Sequence, residues 1–342
     1  MSKSENNRFQ WSIIGHAKAV SYLQKSLVNQ KISQAYLFVG PKQVGKATVA
    51  KYFVDSLICK NLEQKNGLLP CGQCDSCRQL ASQLHPDVYW LEREIDQKSG
   101  KLKKNISIEQ VRQLQNKLSL RSFLNSYKIA VIDEAQGLSA EAANSLLKTL
   151  EEPSARTVLI LLAENLARLP QTIVSRCQII NFLPVSSQAI IDYLKILKVE
   201  RKKAKILAAL AFGRPGIALN YATKPEAYLD FQEQAKKFIT LLKSGLNDRF
   251  KIIGELLEFN DVNSAQATLL VWRKILRDLI LVKYSTQNLI SNLNLAADLN
   301  ELAANYRQSE LIEMMAQVNE ARRYLEANVS PKLTLENLVL NF

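Results

Sequence analysis

The sequence predicts an α/β fold: a five-stranded parallel sheet that carries a phosphate-binding loop, followed by segments made of helix only. Three observations carry this expectation. Residues 36–48 read Tyr-Leu-Phe-Val-Gly-Pro-Lys-Gln-Val-Gly-Lys-Ala-Thr, an apolar run too short for a helix that GxxxxGK turns into one near Lys46. Residues 128–134, Lys-Ile-Ala-Val-Ile-Asp-Glu, form an unbroken apolar strand of the kind buried on both faces, ending in two acids. From Pro184 onward helix formers dominate, interrupted only at Gly213-Arg-Pro-Gly216 and at a linker, Lys224-Pro225.

In the loop, Gly40 and Gly45 let the chain curl so that backbone N–H groups point inward, the helix start adds its positive end, and Lys46 reaches terminal phosphates. The position after Lys46 ordinarily carries the Ser or Thr hydroxyl that ligates Mg²⁺, and here it is Ala47. Thr48 is no simple replacement, because one residue along a helix rotates the side chain by roughly 100°. The loop therefore promises nucleotide without promising hydrolysis, and ATP with Mg²⁺ is doubtful in this chain.

The remaining strands are expected near residues 89, 160 and 180, with amphipathic helices over 108–120 and 140–152 between them. Ser139 suits the N-cap of the second helix and Pro153 ends it. Strand ends at the carboxyl edge of such a sheet line the ligand crevice. There Asp133 suits the water shell of Mg²⁺ and Glu134 the polarisation of an attacking water. His16, ahead of the loop, is either a base-contacting residue or a packing and turn residue.

Cys59 followed by Cys71-Gly-Gln-Cys74-Asp-Ser-Cys77 is a second chemical signal. The CxxC step holds two thiolates at the separation a tetrahedral ion needs, a third follows at the same step, and Cys59 returns as the fourth. Four thiolates leave no open coordination position, so the expectation is structural Zn²⁺. A redox CxxC and a zinc module contacting DNA are the alternatives. Gln73, Asp75 and Ser76 beside a single Arg78 make a poor footprint for phosphates, which weighs against the second. Cys177 is distant and is read as filling space.

With 342 residues the chain is long for one domain, and 47% apolar and 23% charged residues are ordinary for a folded soluble protein. The strongest apolar run, 158–163, stops at Glu164, far short of a membrane span, and residues 1–8 are polar with no signal-peptide core. The expectation is a cytoplasmic protein with no membrane partner. A net charge of +13 favours a negatively charged partner such as nucleic acid, although a basic proteome gives the same number.

Taken in order, the P-loop, the cysteines after its helix, the acid-capped strand and Ser175-Arg176-Cys177 resemble the bacterial clamp-loader AAA+ family. Ile14-Gly15-His16, His85-Pro86-Asp87, Leu169-Pro170, and Trp272 with Arg277-Asp278 continue the resemblance over nearly the whole chain. It implies an AAA+ module at 1–183 with an inserted zinc module at 59–77, a helical lid at 184–223 and a helical collar at 224–342. It further implies a hetero-pentameric ring with tau/gamma and delta subunits, a sliding clamp and primed DNA as partners, and Arg176 as an arginine finger acting on a neighbour's nucleotide.

Departures within the family point to its delta-prime branch. Besides Ala47, the fourth strand ends in Ala163-Glu164-Asn165 where active members carry small hydroxyl residues, and Gly213-Arg214-Pro215-Gly216 lacks an arginine at the second sensor position. The expected role is a stator that contributes Arg176 in trans, with Gly40, Gly45, Lys46, Ala47 and Thr48 as a degenerate nucleotide loop and Asp133 and Glu134 as a vestigial acid pair. The alternative is an active tau/gamma-like ATPase.

Overall fold

The computed structural model describes residues 8–64, 67–96, 102–122, 126–256, 261–286, 289–327 and 329–342, so the polar start at residues 1–7 lies outside the described residues. The chain divides into two compact units, 1–189 with 213–216, and 190–212 with 217–342.

The first unit holds the five parallel strands β1 (Ala35–Val39), β2 (Val88–Leu91), β3 (Lys128–Ile132), β4 (Thr157–Ala163) and β5 (Gln178–Asn181), in the order β2-β3-β4-β1-β5. Every residue of β1, β3 and β4 is buried, as expected of strands covered on both faces. Helices α1 (Ala17–Val28), α2 (Lys46–Ile58) and α3 (Asp75–Ala81) come before β2, and α4 (Ile108–Ser119), α5 (Ala140–Glu151) and α6 (Gln171–Val174) after it. Tyr36, Phe38, Phe53 and Phe182 pack on one sheet face, while Leu37, Val111, Leu146 and Leu161 pack on the other.

Capping explains the helix starts. Ser107 accepts the Gln110 N–H while the Gln110 side chain accepts the Ser107 N–H, a reciprocal box, and Ser139 accepts the Ala142 N–H at 3.1 Å. The helix ends expected at 120 and 152 fall one residue earlier, because Leu120 is extended and Glu152 leaves helical geometry. Buried Lys128 donates to the carbonyls of Leu118 and Leu120 and to Ser154 Oγ, satisfying acceptors that the end of α4 leaves open.

Two helices, α7 (Ser187–Ile196) and α9 (Pro215–Thr223), begin in the first unit and end in the second, and α8 (Arg201–Ala211) lies wholly in the second. Next come α10 (Pro225–Lys243), α11 (Leu246–Leu256), α12 (Val262–Lys283), α13 (Ala296–Ala304), α14 (Gln308–Glu326) and α15 (Pro331–Leu340). The linker expected at Lys224-Pro225 is the single residue Lys224 between α9 and α10. Pro225 stands at the first helical position of α10, where a missing N–H costs nothing. Leu269, Trp272, Ile275, Leu276 and Leu279 do form the buried stripe of α12, with Trp272 stacked on Phe238 at 4.5 Å.

Fully buried Asp278 accepts from the backbone N–H groups of Ser291 and Asn292, from Asn292 Nδ2 at 2.7 Å and from Arg277 Nη1 at 3.0 Å. It fastens the turn after α12 to the helix. Asp278→Ala strands those donors and is expected to cost about 3 kcal/mol, read as an earlier chemical denaturation midpoint for the helical unit.

Candidate functional site

The loop expected to bind phosphate lies between β1 and α2, at the carboxyl edge of the sheet. Gly40 is required by close approach: a Cβ there would stand 2.2 Å from the Phe182 carbonyl oxygen. Gly45 is required by conformation, with φ of 115° at the residue that caps α2. Lys46 is buried, and its Nζ donates to the carbonyls of Gly40 at 2.6 Å and Pro41 at 2.8 Å. Burial lowers the affinity of Lys46 for its proton, against the opposing pull of Glu164 and Asp133. Ala47 and Thr48 are exposed on the first turn of α2. His16 packs: its Nε2 lies 2.8 Å from the Val44 carbonyl and its ring meets Phe182 at 4.9 Å.

The two acids follow β3 as expected, but their partners were not visible in the sequence. Asp133 accepts the N–H of Glu134, which itself adopts a left-handed conformation with φ of 50°. Lys42 of the loop meets Glu134 Oε1 at 2.5 Å and Glu164 at 3.6 Å, and Arg93, just beyond β2, donates to Glu134 Oε2. Burial pushes the Glu134 carboxyl up, yet the Lys42 and Arg93 contacts outweigh it and hold the group below its ordinary range. Glu134 thus has a cation on each oxygen, the opposite of what raises the basicity of a general base.

At the far edge of the site, Gly216 donates its N–H to the Gln43 carbonyl at 2.9 Å, and a Cβ on Gly216 would press on Gln43 at 3.0 Å. The glycine break at 213–216 therefore closes on the phosphate loop within the first unit. Arg176 stands just past α6, away from this cluster. Its guanidinium pairs with Glu151 Oε1 at 2.6 Å and donates to the Thr172 carbonyl at 2.9 Å, with both charged side chains partly exposed.

The four cysteines converge. Their sulfurs all lie within 4.8 Å of one another, with Cys71 Sγ and Cys77 Sγ 3.9 Å apart. That matches four ligands at about 2.3 Å around one tetrahedral ion. Cys59 ends α2, while Cys77 lies inside α3, a helix that the polar sequence around it did not announce. Cys71 N–H points at Cys59 Sγ and Cys74 N–H at Cys71 Sγ, each at 3.4 Å. Burial opposes ionisation of Cys71, but the Gln73 and Cys74 N–H groups and the neighbouring Cys59 and Cys74 thiols bring its thiol down to about 6, whereas burial pushes Cys59 and Cys77 up. Cys177 stands apart, packed in the opposite face of the sheet.

The sequence is matched by family models and by known proteins. A family model described as DNA polymerase III, delta subunit, covers residues 15–186, half of the chain. The chain belongs to this family. A second model, DNA polymerase III, delta subunit, C terminal, covers residues 230–342. This delta-family chain is 27% identical to the DNA polymerase III subunit delta' of Bacillus subtilis (strain 168), over 94% of both chains. It is also 27% identical to that organism's DNA polymerase III subunit tau, over 97% of this chain but 61% of tau, so it spans less than two thirds of that relative. To the delta' subunit of Pseudomonas aeruginosa it is 37% identical, over 42% of each chain. The family read from the motifs is borne out.

Proposed function

We propose that this chain is a delta-prime-type stator of the DNA polymerase III clamp loader. In this reading it sits in a ring with tau/gamma and delta subunits in the cytoplasm and helps place a sliding clamp on primed DNA. Its three functional parts are the AAA+ module at 1–183, a lid at 184–223 and a collar at 224–342. The observation that carries the reading is the double ion pair on Glu134. A carboxylate bound by Lys42 and Arg93 is held as an anion and shielded, so it serves poorly as the base that polarises water. Ala47 removes the hydroxyl that would hold Mg²⁺ from the same site.

Arg176 supplies its guanidinium to the nucleotide of the neighbouring subunit, where charge builds on the transferred phosphoryl group. Leaving Glu151 costs little, because an ion pair this exposed is worth about 0–1 kcal/mol. The four cysteines hold Zn²⁺, which ties the end of α2 to α3 and takes no part in the chemistry.

The test is ATP titration and steady-state turnover with the purified chain. No turnover above background is expected, and none is expected to appear in Lys42→Ala, because Ala47 still offers no metal ligand. Robust turnover that Lys46→Ala abolishes would make the chain a motor of the tau/gamma kind and overturn the stator reading.

A further inference from the structure

Residues 8–16 run from the cysteine cluster to the phosphate loop, and each part of that run is fastened. At one end the Arg8 guanidinium donates to four carbonyls of the segment between Cys59 and Cys71: Gly67 at 3.0 Å, Asn61 at 2.9 Å, Leu62 at 3.0 Å and Gln64 at 2.6 Å. Phe9 pairs with Leu69, through Leu69 N–H to the Arg8 carbonyl at 2.8 Å and Gln10 N–H to the Leu69 carbonyl at 3.1 Å. Leu69 is fully buried beside Cys59 and Cys77. In the middle, Trp11 stacks on Tyr52 and donates from Nε1 to buried Ser56 at 3.0 Å, both on α2. At the other end Gly15 turns with φ of 75° against Val185, and His16 meets the Val44 carbonyl and lies within 4 Å of where a Gly45 side chain would stand.

We infer that this strap transmits the metal state of the four-cysteine cluster to the phosphate loop. The segment between Cys59 and Cys71 is anchored by a ligand at each end, so an ion at the cluster fixes the carbonyls and the Leu69 backbone that hold Arg8 and Phe9. Without the ion, four sulfurs within 4.8 Å have no common partner, and the anchor of the strap opens with them. His16 then loses its fixed approach to Val44, and the loop amides near it lose a packed neighbour. The coupling passes through contiguous contacts of one unit and needs no change in the sheet. It rests on the reading that the cluster binds metal, and the experiment separates the two.

Metal content of the purified full chain is measured first, by releasing the ion into a chromogenic chelator. Amide hydrogen exchange is then followed with and without chelation. On chelation, exchange is expected to rise at residues 59–77 and, by about fivefold or more, at residues 40–46, while α12 keeps its protection. In metal-loaded Arg8→Ala the rise is expected at 40–46 with metal content unchanged. In His16→Ala it is expected at 40–46 with 59–77 still protected, which gives the direction of the coupling. A rise confined to 59–77 on chelation, a uniform rise that includes α12, or unchanged exchange at 40–46 in Arg8→Ala overturns the strap. A chain that holds no metal as purified and takes up none from added Zn²⁺ overturns the zinc reading and with it the transmitted metal state, and Arg8→Ala then decides only whether residues 8–16 hold the loop.

Discussion

Arg176→Ala in the reconstituted clamp loader is expected to slow ATP hydrolysis by tenfold or more, at least about 1.4 kcal/mol of barrier, while the isolated variant folds as the parent does. The expected size follows from what a guanidinium does at a phosphoryl group. It meets the equatorial oxygens as charge develops there, and fingers supplied by a neighbouring chain are worth about 10³ to 10⁵ in rate. Little stability is at stake in the isolated chain, because the Arg176 contacts to Glu151 and Thr172 lie at a partly exposed edge. Arg176→Lys keeps the charge without the planar fork and is expected to recover only part of the rate. An assembled loader whose turnover is indifferent to Arg176→Ala would remove this residue from the mechanism.

If the four cysteines hold the proposed Zn²⁺, stripping it is expected to have the largest effect on stability. Structural zinc sites in small peptides contribute about 10–16 kcal/mol of apparent binding free energy at neutral pH, and in a domain with its own core a part of that appears as stability. Here the core beneath the cluster is small, with Leu69, Phe9 and Leu62 around the sulfurs, so apolar burial offers little substitute. Chelation, or Cys74→Ser, is expected to lower the melting temperature of the first unit by roughly 5 °C or more, a shift that corresponds to a few kcal/mol. DNA affinity at fixed salt is expected to stay nearly constant, since Arg78 is the one cation within the 71–78 stretch. A selective loss of DNA binding with an unchanged melting temperature would instead make the cluster a nucleic-acid contact.

The elements easiest to read were those whose physics is local. β1, β3 and β4 are apolar along their whole length because both of their faces are covered, and that leaves an unbroken run that no helix periodicity imitates. Ser139 announces its helix by a hydroxyl at the cap position. The spacing of Cys71, Cys74 and Cys77 likewise carries its own geometry. The partners in the site were not legible, since Lys42 finds Glu134 and Arg93 finds the same carboxylate only once the sheet has brought three loops to one edge. Arg8 was hidden for the same reason: nothing in a charged residue at the start of a chain says that it will cap four carbonyls more than fifty residues away. α3 was missed because four of its seven residues, Asp75, Ser76, Arg78 and Gln79, are polar, and its fold comes from the cluster and from Leu80.

One further consequence lies in α2 itself. Its first residue is Lys46 of the phosphate loop and its C-cap is Cys59, the first of the four cysteines, so a single helix of 13 residues, about 20 Å long, ends in chemistry at both tips. A helix of that length moves as one hydrogen-bonded body, and Trp11, seated on its flank against Tyr52 and Ser56, pins it to residues 8–16. Neither tip can shift along the axis without carrying the other, because one continuous helix joins Lys46 to Cys59.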